Sequence, residues 1–290
     1  MGAMAAAAQY EDGFWWSKDG LRLHYRDYPG RDDRPPIVCI PGLTRNARDF
    51  AHVADRLAGE WRLICVDLRG RGESAYAKFP MSYAPLTYLG DLEDLLDTLK
   101  IDRFVSFGTS LGGLMTMIFA AAHPGRIAGA LLNDVGPEVE EAGLDRIRGF
   151  VGKSGSWPSW VHAARAAEGV HGHAHPGYDL PQWIALAKRL YRLTGQGRIV
   201  PDYDIKISEP MRHPSEPVDM WPMFEALGDV PVMILRGALT DILSAETAKQ
   251  MAKRLPNATL VNIPGHGHPP ELDEPQAIKA IDALLKSVAG

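Results

Sequence analysis

Residues 37–40, 63–66, 104–107 and 127–132 are short stretches apolar at nearly every position, the pattern of strands buried on both faces of a sheet. Residues 21–26 alternate instead, as an antiparallel strand near the start of the sheet would. Between the continuous runs, residues 48–57, 86–99 and 111–122 carry apolar positions at helical spacing. Strand and helix therefore alternate, which predicts parallel strands joined by crossover helices that cover both faces. The pattern resumes late, with strands expected over 230–235 and 258–263 and helices over 245–255 and 275–288. From about Pro137 to about Glu225 it stops.

That middle stretch holds several prolines and glycines, helical patterns such as 183–193, and four tryptophans, Trp157, Trp160, Trp183 and Trp221. A helical insertion placed over the carboxyl ends of the strands, where open α/β sheets bind their ligands, accounts for it. The expected organisation is a core from 1–136, a helical lid from 137–225 and the rest of the core from 226–290.

Composition narrows the classes. The chain has 290 residues, is 46% hydrophobic, and sets 31 Lys and Arg against 36 Asp and Glu for a net charge of -5. With no basic block, a nucleic-acid partner is not expected. No stretch reaches transmembrane length, and the alanine-rich start reads as a frayed tail or cloning remnant rather than a signal peptide. Cys39 and Cys65 lie in apolar strand-like runs and read as small buried side chains. A cytoplasmic setting fits these features.

The chemistry centres on Gly108-Thr109-Ser110-Leu111-Gly112, which joins the run ending at Phe107 to the helical stretch from Leu111. A serine on a sharp strand-to-helix turn needs small residues two before and two after it, and Gly108 and Gly112 supply them. The turn also aims the Leu111 backbone N–H, at a helix N-terminus, where a carbonyl oxygen would become negative. A nucleophilic serine needs an imidazole to take its proton and a carboxylate to hold that imidazole, expected in the order Ser, acid, His. Asp241, a few residues past the strand ending near Leu235, is the expected acid. His268, past the last strand and before the final helix, is the expected base.

Rivals exist for both roles. Asp134, in Asn133-Asp134-Val135-Gly136-Pro137, also follows a strand, but reads as a cap of the turn into the lid. His266 lies two residues before His268 and is the less favoured base. His171, His173 and His175 alternate but lack the companion ligands of a metal site, so a solvated lid loop is expected and no metal. Arg69-Gly70-Arg71-Gly72 lacks the spacing of a phosphate loop and reads as a structural turn beneath the site.

These motifs together resemble the α/β-hydrolase superfamily, in the helical-cap branch of esterases, enol-lactonases and carbon-carbon bond hydrolases. The likeness runs from about Phe14 to Val288. It is carried by Pro41-Gly42-Leu43, by the segment from Asp67 to Ser74, by the Ser110 elbow and by the Asp241 and His268 loops. The resemblance implies an α/β-hydrolase fold with a mostly parallel eight-stranded sheet, helices on both faces and a helical cap. It also implies that the Leu43 N–H is the second oxyanion donor. Many members have His-Gly where this chain has Pro41-Gly42. The expected activity is hydrolysis of a carboxylic ester or lactone through an acyl-enzyme, with no cofactor and a small to medium hydrophobic substrate. Trp157, Trp160 and Trp183 are expected to line the pocket. A carbon-carbon bond hydrolase using the same three side chains, or a ligand-binding relative with little turnover, are the alternatives.

Overall fold

The computed structural model describes residues 7–213 and 218–289. The alanine-rich start falls largely outside the described residues, as does the short segment 214–217.

Among the described residues ten strands form, eight of them in one sheet. They are β1 (Glu11–Trp16), β2 (Arg22–Tyr28), β3 (Ile37–Ile40), β4 (Leu63–Asp67), β5 (Phe104–Thr109), β6 (Ile127–Asn133), β7 (Tyr191–Leu193), β8 (Ile199–Pro201), β9 (Val232–Gly237) and β10 (Ala258–Ile263). The sheet order is β1-β2-β4-β3-β5-β6-β9-β10. β2 runs antiparallel to both β1 and β4, and every later pairing in this sheet is parallel. The continuous apolar runs occupy the middle of the sheet, and β3, β4, β5 and β6 are buried at every position. β1 was not visible as a strand in the apolar pattern, because it is an edge whose residues face solvent at most positions.

Side chains of successive residues serve opposite layers. Val38 and Ile40 join a core with α2 (Pro85–Thr98), α3 (Leu111–Ala122) and α8 (Ala245–Arg254). Ile37 and Cys39 join a second core with α1 (Ala51–Leu57) and α9 (Pro275–Ala289). This two-sided packing is the reason the strands tolerate no polar alternation. The expected fold is the observed one.

Between β6 and β9 lie α4 (Glu141–Phe150), α5 (Trp160–His171), α6 (Leu180–Leu190), the antiparallel β7–β8 ribbon and α7 (Trp221–Glu225). The helical run expected over 183–193 ends at Leu190, where the chain passes straight into β7. α6 starts with a capping box, Asp179 accepting from Gln182 N and Gln182 accepting from Asp179 N. A separate small core, built from Ala163, Ala167, Trp183, Leu186 and Ile199, holds α5, α6 and the ribbon together.

Candidate active site

Each candidate residue follows the carboxyl end of a strand: Leu43 after β3, Ser110 after β5, Asp134 after β6, Asp241 after β9 and His268 after β10. Because β3, β5, β6 and β9 are consecutive neighbours, parallel pairing gathers these ends over the middle of the sheet.

Ser110 stands between β5 and α3 with φ 52° and ψ -115°, a left-handed backbone that costs a β-carbon-bearing residue of order 1–3 kcal/mol. The flanking glycines make the turn possible. A β-carbon on Gly108 would lie 2.5 Å from the Gly112 carbonyl oxygen, and one on Gly112 only 2.0 Å from that of Ile40. The elbow is pinned by Ser110 N donating to the Asn133 carbonyl at 3.0 Å.

His268 Nε2 lies 2.9 Å from Ser110 Oγ, and its Nδ1 lies 2.8 Å from Asp134 Oδ2. With Nδ1 protonated, it donates to the carboxylate and leaves Nε2 to accept the serine proton. Asp134 is fully buried and also accepts from Gly237 N at 2.9 Å and from Thr240 Oγ1 at 2.6 Å. Its own φ is 59°, a conformation that aspartate adopts more readily than most residues.

The carboxylate beside His268 is therefore Asp134, and the expectation that placed Asp241 there is corrected. Asp241 instead makes a two-pronged pair with Arg146 of α4, at 2.5 and 2.7 Å, and that hydrogen-bonded guanidinium holds its carboxyl below the usual range. α4 comes this close because of Gly143, where a β-carbon would sit 2.4 Å from the Asp241 carbonyl oxygen. The Asp241 loop thus anchors α4, while its neighbour Thr240 supports Asp134. His266 has other partners, with Nδ1 3.0 Å from the Pro264 carbonyl oxygen and Nε2 3.6 Å from Glu274 Oε1.

Asn133 was missed in the sequence and ties the loops together. Its carbonyl holds Ser110 N, and its side-chain amide donates to Thr109 Oγ1 at 3.2 Å and to the Pro270 carbonyl at 2.9 Å. The only signal was its position directly before Asp134, at the end of a buried strand.

Leu43 lines the cleft at Ser110, and Leu111 follows Ser110 at the start of α3. Neither backbone N–H has a protein acceptor among the described residues. The loop carrying Leu43 is fixed from below by Arg71, whose Nε donates to the Leu43 carbonyl at 2.8 Å. Arg71 also donates to the Arg69 carbonyl, and Arg69 is locked by Asp91 and Asp19. The turn from 69 to 72 is thus a support beneath the site.

The cleft at Ser110 is small, about 50 Å³, and is walled by Gly42, Leu43, Arg146, Phe150, His171 and His268 among others. A second chamber of about 150 Å³ shares Thr44, Phe150 and His171 with it and extends to Trp157, Leu190, Tyr191 and Tyr203. Of the three tryptophans expected in the pocket, only Trp157 lines it, packed on Tyr191 at 4.6 Å between ring centres. Trp183 is buried in the separate core of α5, α6 and the ribbon and Trp160 packs against that core, which removes both from the expected pocket lining.

The three alternating histidines do not form a solvated loop. His173 is exposed, but His171 walls both chambers and His175 is buried. Among the described residues no three His, Cys, Asp or Glu side chains converge as metal ligands. His175 sits by an ion-pair cluster in which Glu271 meets Arg189 and lies 3.7 Å from Arg45, itself paired with Asp49. Burial alone would raise the Glu271 carboxyl, but Arg189 and Arg45 outweigh it and hold it at about 2. Burial pushes the His175 imidazole down to about 4, against the opposing pull of Glu271.

The depressed His175 value predicts acid sensitivity. Below the ordinary imidazole value of 6.5 the unfolded chain binds a proton that the folded chain refuses until about 4. Stability therefore falls as pH drops through this window, by about 2 kcal/mol between pH 7 and 5. Urea unfolding at both pH values should show this loss in the wild type and a smaller one in His175→Gln.

A family profile described as the alpha/beta hydrolase fold matches residues 35–275. The 3-hydroxybutyrate-oligomer hydrolase of Cupriavidus necator is 30% identical over 267 residues, covering 89% of this chain and 90% of that protein. The crystal structure of an alpha/beta hydrolase from Novosphingobium aromaticivorans superposes with a TM-score of 0.93 at 55% identity, over 97% of this chain and 99% of that one. E-2-(acetamidomethylene)succinate hydrolase shares the fold, with a TM-score of 0.79 at 21% identity over 97% of this chain and 100% of that one. In the described residues no helix is long and apolar enough to cross a membrane.

Proposed function

The chain belongs to the α/β-hydrolase family, and from that premise we propose that it is a serine hydrolase that cleaves a carboxylic ester or lactone through an acyl-enzyme on Ser110. The observation that carries this reading is the hydrogen-bonded series from Ser110 through His268 to Asp134, opening on a cleft lined by Leu43, Ser110 and His268. His268 takes the Ser110 proton as Oγ attacks the carbonyl, and Asp134 stabilises the imidazolium that results. The Leu43 and Leu111 N–H groups receive the oxyanion. His268 then returns its proton to the leaving oxygen, and water repeats the sequence to release the acid. Asp134 replaces Asp241 as the acid in this scheme. The ester preference is supported by the relative named for hydrolysing a hydroxyacid oligomer.

A panel of 4-nitrophenyl esters of rising chain length tests the reading. Ester turnover at a rate that tracks chain length is expected. A dienone ring-cleavage product turned over in place of every ester would move the assignment to carbon-carbon bond hydrolysis.

The lid tryptophans give a sharper comparison on the same panel. Trp157→Ala should reorder kcat/KM along the series, because a pocket contact is worth ~1–3 kcal/mol of discrimination. Trp183→Ala should instead cost about 3–5 kcal/mol of stability, as deletion of a large core side chain does, and leave the ranking unchanged. Equal effects of both variants on the ranking would contradict the division drawn here.

A further inference from the structure

The second chamber is apolar along most of its length, with Trp157, Leu190, Tyr191 and Phe150 in its wall, yet it also takes in Lys153 and Ser154. Both lie in the segment that joins α4 to α5, and both side chains are exposed to solvent, so they stand at a mouth of the chamber. Thr44, Phe150 and His171 line both this chamber and the cleft at Ser110 and so form the neck between them. A substrate arm that runs from Ser110 through this neck into the chamber therefore meets a wall that carries an ammonium group.

Building on the hydrolase reading above, we propose that the second chamber holds an apolar arm of the ester that ends in a carboxylate, and that Lys153 binds that carboxylate. Lysine suits this place. Its methylene stem can lie along apolar wall while its charge stays at the water boundary. The arginines near the cleft are already engaged, Arg45 by Asp49 and Arg146 by Asp241, so they offer less to a second anion than Lys153 does. Burial pushes the His171 imidazole down to about 3, so the neck adds no positive charge that would hold the anion short of the mouth. The neck and wall select a hydrophobic arm, and Lys153 selects how it ends. This narrows the expected hydrophobic substrate to an amphiphilic one: a monoester of a dicarboxylic acid, or an ester of a hydroxy acid with its carboxylate free.

Two substrate pairs test the proposal, one for each arm of the ester. In the first the carboxylate is on the acyl arm, mono-4-nitrophenyl suberate against its methyl ester. In the second it is on the alcohol arm, the linear dimer of 3-hydroxybutyrate against its methyl ester. In the pair whose charged arm fills the chamber, the free acid should exceed its methyl ester by about tenfold in kcat/KM, chiefly through KM. Lys153→Ala should erase that gap by lowering kcat/KM for the free acid far more than for the methyl ester, Lys153→Glu should reverse it, and Lys153→Arg should keep it. The proposal is overturned if neither pair shows a preference for the acid, if Lys153→Ala slows acid and methyl ester alike, or if the gap survives that change. Turnover of 4-nitrophenyl octanoate separates this from the underlying reading. If the neutral ester is hydrolysed without any acid preference, only the role of Lys153 fails. If no ester is hydrolysed at all, both fail.

Discussion

Asp134→Asn should lower kcat by about ten thousand-fold, because an amide favours the wrong imidazole tautomer and cannot stabilise the imidazolium. The loss should appear without a matching rise in KM, since Asp134 lies behind His268 and does not face the cleft. Asp241→Asn should cost less than about tenfold in kcat, because its partner is Arg146 and what it weakens is an anchor of α4. Steady-state kinetics of the two variants on one 4-nitrophenyl ester gives the answer. The reverse ranking would mean that Asp241 swings onto His268 during turnover.

Ser110→Ala should abolish measurable turnover, a loss on the order of a million-fold in kcat of the kind seen when a nucleophile is removed from a coupled triad. Thermal unfolding should be little changed. The turn is held by backbone contacts, Ser110 N to the Asn133 carbonyl and the close approach of Gly108 to Gly112, and alanine keeps all of them. Residual activity above a hundredth of wild type would mean that another nucleophile, or a bound water, attacks the substrate.

The fold was legible because its signals are local and redundant. A strand such as β5, buried at every position, has to be apolar throughout, and a crossover helix between two such strands leaves few topologies open. Ser110 and His268 were legible for a similar reason, each fixed by the end of an apolar run and by the glycines around it. The carboxylate beside His268 was not, because the choice between Asp134 and Asp241 depends on where two loop carboxylates point. Both follow strands next to one another, β6 and β9, and a few ångströms decide between them. What settles it is the pull of Gly143 and Arg146 on one side and of Gly237 N and Thr240 on the other, contacts made across more than ninety residues of chain. The lid tryptophans failed to separate for the same reason. Helical spacing shows that a residue lies on one face of α6, and whether that face meets the chamber or the separate small core depends on the packing of α5 and the ribbon.

The most direct test of the account is covalent capture of the nucleophile. Treated with a fluorophosphonate and measured as the intact protein, the wild type should gain a single adduct, and peptide mapping should place it on Ser110. Ser110→Ala should take up none, and Asp134→Asn should label far more slowly than Asp241→Asn. An unlabelled wild type, or an adduct that persists in Ser110→Ala, would contradict the assignment of Ser110, His268 and Asp134 as the catalytic series.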